Sequence, residues 1–303
     1  MKKNLLLLAL LAFAAVSFTA CGGDDDADVT PVNVPTQPFN DDAIRLSFVK
    51  ETIDYKRHDS KDGYVIRELE LTESGHYFVK LEKKAEDDVT RATTAEYAYV
   101  FGFYTKDAQG NYVLNGFGTI TITMTGNSSA TVSITLQDAS GASVSVSVTV
   151  STPPADATSE ATKALCRNWK IQSTRVQIQG ESGFYQEEGC NVNSLFEYIK
   201  SHAKLTDVLP ENHKIESIEF SKNGTFALMY ANGNIDKATW RWVNASEGAL
   251  SYTWDFADMG YSFVDGTASV KIIPEGTSQL KLYGTAVNDK KEKKNVTITV
   301  NML

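Results

Sequence analysis

The feature that most constrains the fold is an internal repeat. Residues 66–79, IRELELTESGHYFV, align without a gap with residues 215–228, IESIEFSKNGTFAL. Apolar positions, one glutamate and a turn glycine coincide in the two stretches. Three looser matches keep the same order in both halves: RLSFV at 45–49 with RNWKI at 167–171, FGF at 101–103 with WRW at 240–242, and GTITIT at 118–123 with GTASVK at 266–271.

The repeat predicts two tandem domains, at residues 41–152 and 163–303. A linker at 153–162 joins them, and its Pro153-Pro154 pair makes the start of the joint stiff and extended. About 265 folded residues also exceed the size of a usual single domain. The alternative is chance similarity between two β-rich halves.

Both halves are rich in strands. Apolar residues alternate with polar ones along each predicted strand, and the segments are separated by hairpin-turn sequences. Tyr97, Tyr99, Phe101 and Phe103 have a period of two, so they share one face of a sheet. In the second half we expect strands at about 167–179, 214–222, 225–231, 235–244, 249–256, 267–274, 278–286 and 294–302. Sequential strands with short turns favour antiparallel meanders that close into barrels.

One segment of the second repeat predicts a helix instead. Residues 193–208 place Leu195 and Ile199 at helical spacing, with Ser194 as the N-cap and Glu197 three residues later. The first repeat has no counterpart. Such an inserted helix covers one open end of a barrel or, alternatively, fills a groove between domains.

The N-terminus predicts export and lipidation. Lys2 and Lys3 precede an apolar run, Leu5–Val16, that is too short to span a bilayer as a helix. Residues 18–20 then lead to Cys21, whose thiol could be acylated. This resembles the lipobox of bacterial lipoproteins, with Phe18 where leucine is commoner; an ordinary secretory signal is the alternative. We expect a signal peptide at 1–20 and a lipid anchor on the membrane.

Residues 21–40 predict a flexible acidic tether. The stretch GGDDDADVTPVNVPTQP cannot bury enough apolar surface to offset its ordering entropy. The aspartates after Cys21 resemble the surface-export signal of Bacteroidetes lipoproteins, and a merely solubilising linker is the alternative. The resemblance implies an outer-membrane protein displayed at the cell surface.

Charge argues against nucleic acid as a partner. The chain has 29 Lys and Arg against 38 Asp and Glu, a formal net charge of -9, and therefore repels phosphate backbones. The one basic cluster, KKEKK at 290–294, is expected at the turn of the last hairpin. The sequence makes no prediction for the oligomeric state.

A second resemblance concerns the fold. The Trp169 segment, the hairpin sequence FSKNGT at 220–225 and the WRW strand resemble the lipocalin-like domains of Bacteroidetes lipoproteins. The first half matches them more weakly, since Phe48, Phe101 and Phe103 stand where the tryptophans are expected. The resemblance implies two tandem lipocalin-like antiparallel barrels, the second with an inserted helix.

The sequence predicts no enzyme and no cofactor. No nucleophile elbow, phosphate loop or dinucleotide fingerprint occurs. The four histidines lack metal-ligand spacing, so no metal site is predicted: His58, His76, His202 and His213. Cys166 and Cys190 remain once Cys21 is acylated, and an even pair in an exported protein predicts a disulfide, with a buried free Cys166 as the alternative.

Aromatic residues form the candidate binding site. Trp240 and Trp242 share one face of a strand, and Tyr252 and Trp254 share one face of the next. Such residues either stack on a ligand or pack the inside of a barrel. We therefore expect a non-enzymatic surface binding protein for a glycan, a lipid or another apolar small molecule. The alternative is a structural or adhesive lipoprotein that contacts a protein partner.

Overall fold

The computed structural model describes residues 43–48, 53–56, 63–84, 97–137, 143–151, 153–154, 156–203, 214–254, 266–287 and 292–303. The predicted signal peptide, Cys21, the tether and Lys290 and Lys291 lie outside these residues. No helix in the described ranges is long and apolar enough to cross a bilayer.

The described residues fall into two compact units. One unit comprises those of Pro38–Arg167 and Phe220–Thr225, and the other comprises those of Asn168–Glu219 and Phe226–Leu303. The fold is mostly β, with one eight-stranded antiparallel barrel in each half of the chain. We call them barrel 1 and barrel 2.

Barrel 1 is a sequential meander. Its strands are β1 (Ile44–Ser47), β2 (Asp54–Lys56), β3 (Gly63–Leu71), β4 (His76–Lys83), β5 (Tyr97–Lys106), β6 (Tyr112–Leu114), β7 (Gly118–Gly126), β8 (Ser129–Leu136) and β9 (Ser143–Val150). The barrel closes because β1 pairs with both β9 and β3. The short β2 pairs with β3 outside this ring of eight strands.

Barrel 2 repeats this plan. After helix α1 (Glu160–Leu165), it has β10 (Asn168–Ile178), β11 (Phe184–Glu188), β12 (Cys190–Asn191), helix α2 (Val192–Ala203), β13 (Lys214–Phe220), β14 (Thr225–Tyr230), β15 (Ile235–Asn244), β16 (Ala249–Trp254), β17 (Gly266–Lys271), β18 (Ser278–Val287) and β19 (Lys293–Met302). A 3₁₀ turn, Ala245–Glu247, joins β15 to β16. The ring closes through the pairing of β10 with β19 and β13. Helix α1 begins inside the predicted linker.

The two copies of the repeated turn have the same geometry. Thr72 N–H donates to the His76 carbonyl at 2.9 Å, and Ser221 N–H donates to the Thr225 carbonyl at 2.9 Å. The turn glycines both adopt the left-handed conformation, with φ of 82° and 85°. Glycine adopts this conformation at little steric cost, which is why the repeat retains it.

The looser repeat matches need correction. Arg45 lies opposite Glu70, and Asn168 lies opposite Glu219, so the counterpart of Arg45 is Asn168 and not Arg167. The FGF and WRW segments are not counterparts either, because Phe101 shares the outward face of β5 with Phe103, whereas Trp240, its supposed equivalent, faces inward. Local sequence similarity misplaced the first match by one residue.

Helix α2 covers one end of barrel 2. Its side chains Leu195, Ile199 and Ala203 pack in one apolar cluster with residues of β10, β13 and β19. The helix begins earlier than predicted, and its cap is Asn191, whose Oδ1 accepts the Ser194 N–H at 3.1 Å. The predicted cap at Ser194 is therefore wrong, because β12 leads directly into the helix.

Candidate functional site

Two of the predicted stacking residues lie inside barrel 2. Trp240 pairs directly with Tyr252 across β15 and β16. The exposed fraction of the two residues is 6% and 5%. Tyr252 also packs edge-on against Phe226, with ring centroids 5.6 Å apart, and Gly266 leaves the space that the tyrosine ring fills. These two rings are core residues in this structure.

The other two stacking candidates differ. Trp242 is half-buried and lies edge-on to Trp240, with ring centroids 5.3 Å apart. Trp254 ends β16 opposite Ala238, and its side chain is outside the described part of the structure. The four candidates are therefore near one another in the sheet, but only Trp242 is shown to reach solvent.

The predicted disulfide is not formed in this structure. Cys166 and Cys190 are both buried, and neither is in a disulfide. Burial raises the pKa of Cys190 to about 12, so this thiol stays protonated and unreactive at neutral pH. Sequence distance alone does not place two sulfurs within bonding reach.

The described residues hold no metal centre. No three His, Cys, Asp or Glu side chains converge there in a way that could hold a metal ion. Lys294 of the basic cluster instead donates to Glu181 Oε1 at 2.6 Å and to the His202 carbonyl at 3.0 Å, close to the C-terminus of α2. A lysine here satisfies an unpaired carbonyl of the helix end.

An aromatic stripe lies on the outer wall of barrel 1. Tyr97, Tyr99, Phe101 and Phe103 do share one face of β5, as the period of two predicts, and this face points away from the core. Tyr97 is 41% exposed and Phe103 is 63% exposed, while the two residues between them are half-buried. We call these four residues the aromatic stripe.

Residues of β4 support the stripe from one side. The rings of Phe78 and Phe101 are stacked with centroids 6.4 Å apart, and those of His76 and Phe103 are 4.5 Å apart. The Lys80 ammonium lies 4.2 Å from the centre of the Tyr97 ring. These contacts restrict the rotamers of the stripe, so less entropy is lost when a ligand binds.

The inner face of β5 explains why its aromatic residues point outward. Before the inward-facing Tyr104, this face carries smaller residues, Ala98, Val100 and Gly102, so the large rings of this stretch lie on the other face. A Cβ on Gly102 would lie 2.8 Å from the Tyr77 ring. Tyr77 fills this space, donates its hydroxyl to the Asn115 carbonyl at 2.7 Å and packs near Phe117. Burial raises the pKa of Tyr77 to about 12. The barrel interior is thus occupied by its own side chains at this level.

A buried polar network lies in the same compact unit. Glu70 is fully buried and accepts hydrogen bonds from Arg45 Nη2 at 3.2 Å and from the Thr225 hydroxyl at 2.6 Å. Arg45 also donates to the Thr225 hydroxyl oxygen. Hydrogen bonding of this kind offsets the cost of burying the charges.

Glu73 is the second buried carboxyl group of this network. It is 6% exposed, and its Oε1 accepts the Lys222 N–H at 2.8 Å. Its Oε2 has no hydrogen-bond partner among the described residues. Burial raises the pKa of Glu73 from 4.5 to about 7, against the lowering effect of the backbone N–H groups and of Lys222; Glu70 adds a smaller increase. The carboxyl group therefore titrates near neutral pH.

Sequence reasoning missed a second feature of the outer wall, an array of hydroxyl groups. The outward positions of β7, β8 and β9 are all serine or threonine, and each is exposed or half-buried. The strand register arranges nine of them in three rows: Thr119, Thr135 and Ser143; Thr121, Ser133 and Ser145; and Thr123, Thr131 and Ser147. The other three lie at the β7–β8 bulge, where the Thr125 hydroxyl contacts Ser129 and Ser129 lies opposite Thr149. We call these twelve residues the hydroxyl array. The alternation of Ser or Thr with apolar residues in GTITITMTG, SATVSITL and SVSVSVTV is the signal that would have found it.

Comparisons with known proteins add little. No family model matches the chain, and no curated protein matches it. Among solved structures, a protein of unknown function from the DUF3598 family of Nostoc punctiforme has 10% identity and a TM-score of 0.24, covering 86% of this chain and 93% of that one.

A mutant of transferrin binding protein B from Haemophilus parasuis is the second. It has 8% identity and a TM-score of 0.24, and the match covers 86% of this chain and 65% of the longer protein. Neither likeness carries an argument about the function of this chain.

Proposed function

We propose that this chain is a lipid-anchored, non-enzymatic binding protein of the outer membrane, and that it binds a glycan on the outer wall of barrel 1. The observation that carries the proposal is the aromatic stripe on β5. The N-terminal signals around Cys21 supply the anchor in this proposal, and the acidic tether holds the barrels away from the membrane.

The stripe has the properties of a stacking platform. Alternate residues of a strand are about 6.8 Å apart, so the four rings form a row that is exposed at both ends and half-buried between them. Aromatic residues grouped on an outer surface are a feature of many binding sites. The C–H faces of sugar rings are apolar and suit aromatic side chains. A glycan chain lying along the stripe would cover several rings at once.

The alternative site inside barrel 2 has less support. Trp240 and Tyr252 have their faces covered by neighbouring core residues. A ligand that stacked on either ring would have to displace that packing. The outer wall of barrel 1 requires no such change, because Tyr97 and Phe103 already face solvent.

The experiment is affinity electrophoresis of the purified mature chain in gels containing soluble polysaccharides. The double variant Tyr97→Ala/Phe103→Ala removes the two most exposed rings of the stripe. Each aromatic contact contributes about 0.5–1.5 kcal/mol, so binding should weaken by about 5- to 150-fold.

The matched control is Tyr283→Ala, which removes an outward, 39% exposed tyrosine from barrel 2. It should bind as the parent does. Unchanged binding by the double variant would show that the stripe is not the site. The absence of retardation by any polysaccharide would reject the glycan proposal and favour the adhesive role with a protein partner.

A further inference from the structure

The hydroxyl array continues the surface of the aromatic stripe. Thr105 of β5 pairs with Val113 of β6, which pairs with Thr119 of β7, and the same row continues through β8 to β9. Phe103, the most exposed ring of the stripe, lies two residues before Thr105 on the same strand. Since neighbouring strands are about 4.8 Å apart, this row of five strands is about 19 Å long.

This part of the wall carries no charge. No Asp, Glu, Lys or Arg occurs in residues 112–137 or 143–150, although 22% of the chain is charged. In the loops that border these strands, Asp138 follows β8 and lies outside the described residues, and Asp107 precedes β6. Its carboxylate accepts the N–H groups of Gln109 at 2.9 Å and Asn111 at 2.8 Å, within its own turn.

Barrel 2 provides an internal comparison. Its strands β17 and β18 occupy the positions of β7 and β8, with Gly266 as the counterpart of Gly118. In this register Lys271 stands where barrel 1 has Thr123, and Lys281 stands where barrel 1 has Ser133. Lysine is therefore compatible with these positions of the fold, and barrel 1 lacks it.

Serine and threonine hydroxyls both donate and accept hydrogen bonds. Several in the array already hold one another in place: Ser133 Oγ lies 2.9 Å from Ser143 Oγ, and the Thr125 hydroxyl donates to Ser129 Oγ at 3.1 Å. A ligand that covers such a surface must return a hydrogen bond to each hydroxyl that it removes from water. A chain of sugar rings offers hydroxyls at every ring and needs no counter-charge.

We infer that the ligand is an uncharged polysaccharide chain long enough to cover both the aromatic stripe and the hydroxyl array. This inference rests on the proposed function and names its ligand class. The stripe stacks on the sugar rings, and the array bonds their hydroxyls. Short oligosaccharides bind more weakly, because they leave the hydroxyl array uncovered. Anionic polymers also bind more weakly, because no residue of the array neutralises their charges.

The test places the two lysines of barrel 2, Lys271 and Lys281, at the equivalent positions of barrel 1. The variant Thr123→Lys/Ser133→Lys is compared with the parent chain by affinity electrophoresis in amylopectin, dextran, mannan, xyloglucan and polygalacturonate. The control variant, Lys271→Thr/Lys281→Ser, makes the reverse change in barrel 2. Circular dichroism and the melting temperature confirm that each variant is folded, and Thr123→Val/Ser133→Ala serves as a second array variant without new charge.

We expect at least one neutral polymer to slow the migration of the parent protein through the gel, and polygalacturonate not to slow it. Both array variants should weaken that binding at least tenfold, while the barrel 2 control should not change it. Binding that survives both array variants but is lost in Tyr97→Ala/Phe103→Ala would overturn this inference and leave the proposed function standing. Retardation by polygalacturonate alone, or by no polymer, would overturn the inference as well.

Discussion

The buried carboxyl group of Glu73 makes the stability of barrel 1 depend on pH. Its pKa is about 7 in the folded protein, against the ordinary 4.5 of a glutamate side chain. A raised pKa means that the folded state binds the proton more tightly than the unfolded state does. The stabilisation is therefore complete below about pH 4.5 and is lost as the pH rises through 7.

The magnitude follows from the two pKa values. Each unit of difference corresponds to about 1.4 kcal/mol, and between pH 5 and pH 8 the folded protein should lose roughly 2–3 kcal/mol through this group. Glu73→Gln keeps an oxygen to accept the Lys222 N–H and removes the titration. We expect the variant to have a flatter stability profile over this pH range.

The assay is urea denaturation followed by circular dichroism, at half-unit steps from pH 5 to pH 8.5. All four tryptophans lie in residues 168–303, so a tryptophan signal alone would miss barrel 1. The difference in the free energy of unfolding between the parent and Glu73→Gln, taken at each pH, separates the effect of this carboxyl group from that of other titrating groups. If the free energy of unfolding depends on pH in the same way in both proteins, Glu73 does not have the raised pKa that we assign to it.

Two further predictions concern packing in barrel 2. In Gly266→Ala, the new Cβ would lie 2.2 Å from Cζ of Tyr252, so we expect the free energy of unfolding, measured by urea denaturation, to fall by about 1–3 kcal/mol. The control Gly183→Ala, whose Cβ would meet only Tyr198 Oη at 3.9 Å, should lower it far less. Equal effects of the two variants would show that the close approach of Gly266 and Tyr252 does not matter for stability. In Leu195→Ala, the cavity under α2 should cost about 2–5 kcal/mol, and Glu197→Ala on the exposed side of the helix about 0.5 kcal/mol or less. A cost for Leu195→Ala no larger than that of its control would show that α2 does not stabilise the barrel end.

Most strands of the second half could be predicted from sequence. Alternation of apolar and polar residues, with turns at Asn223-Gly224 and Asn232-Gly233, places β13, β14 and β15 within about two residues of their observed bounds. These signals are local, because period and turn chemistry depend on adjacent residues. The three-residue β6 and two-residue β12 were missed since such short strands hold no periodic pattern.

The orientation of the aromatic residues was harder to predict. A period of two shows that Tyr97, Tyr99, Phe101 and Phe103 share a face, but it does not show which face points to the core. That choice depends on Tyr77, which fills the interior opposite Gly102. Long-range packing of this kind is invisible in a single strand. The same limit applies to Cys166 and Cys190, whose spatial separation cannot be read from their spacing.

The most direct test of the central claim is a hydrogen-exchange footprint of the protein with and without the neutral polysaccharide that retards it most. We expect slower exchange in peptides covering β5 to β9 of barrel 1 and no change in β15 and β16, which hold Trp240 and Trp254. Protection confined to β15 and β16 would place the ligand in barrel 2 and contradict a binding surface on the outer wall of barrel 1.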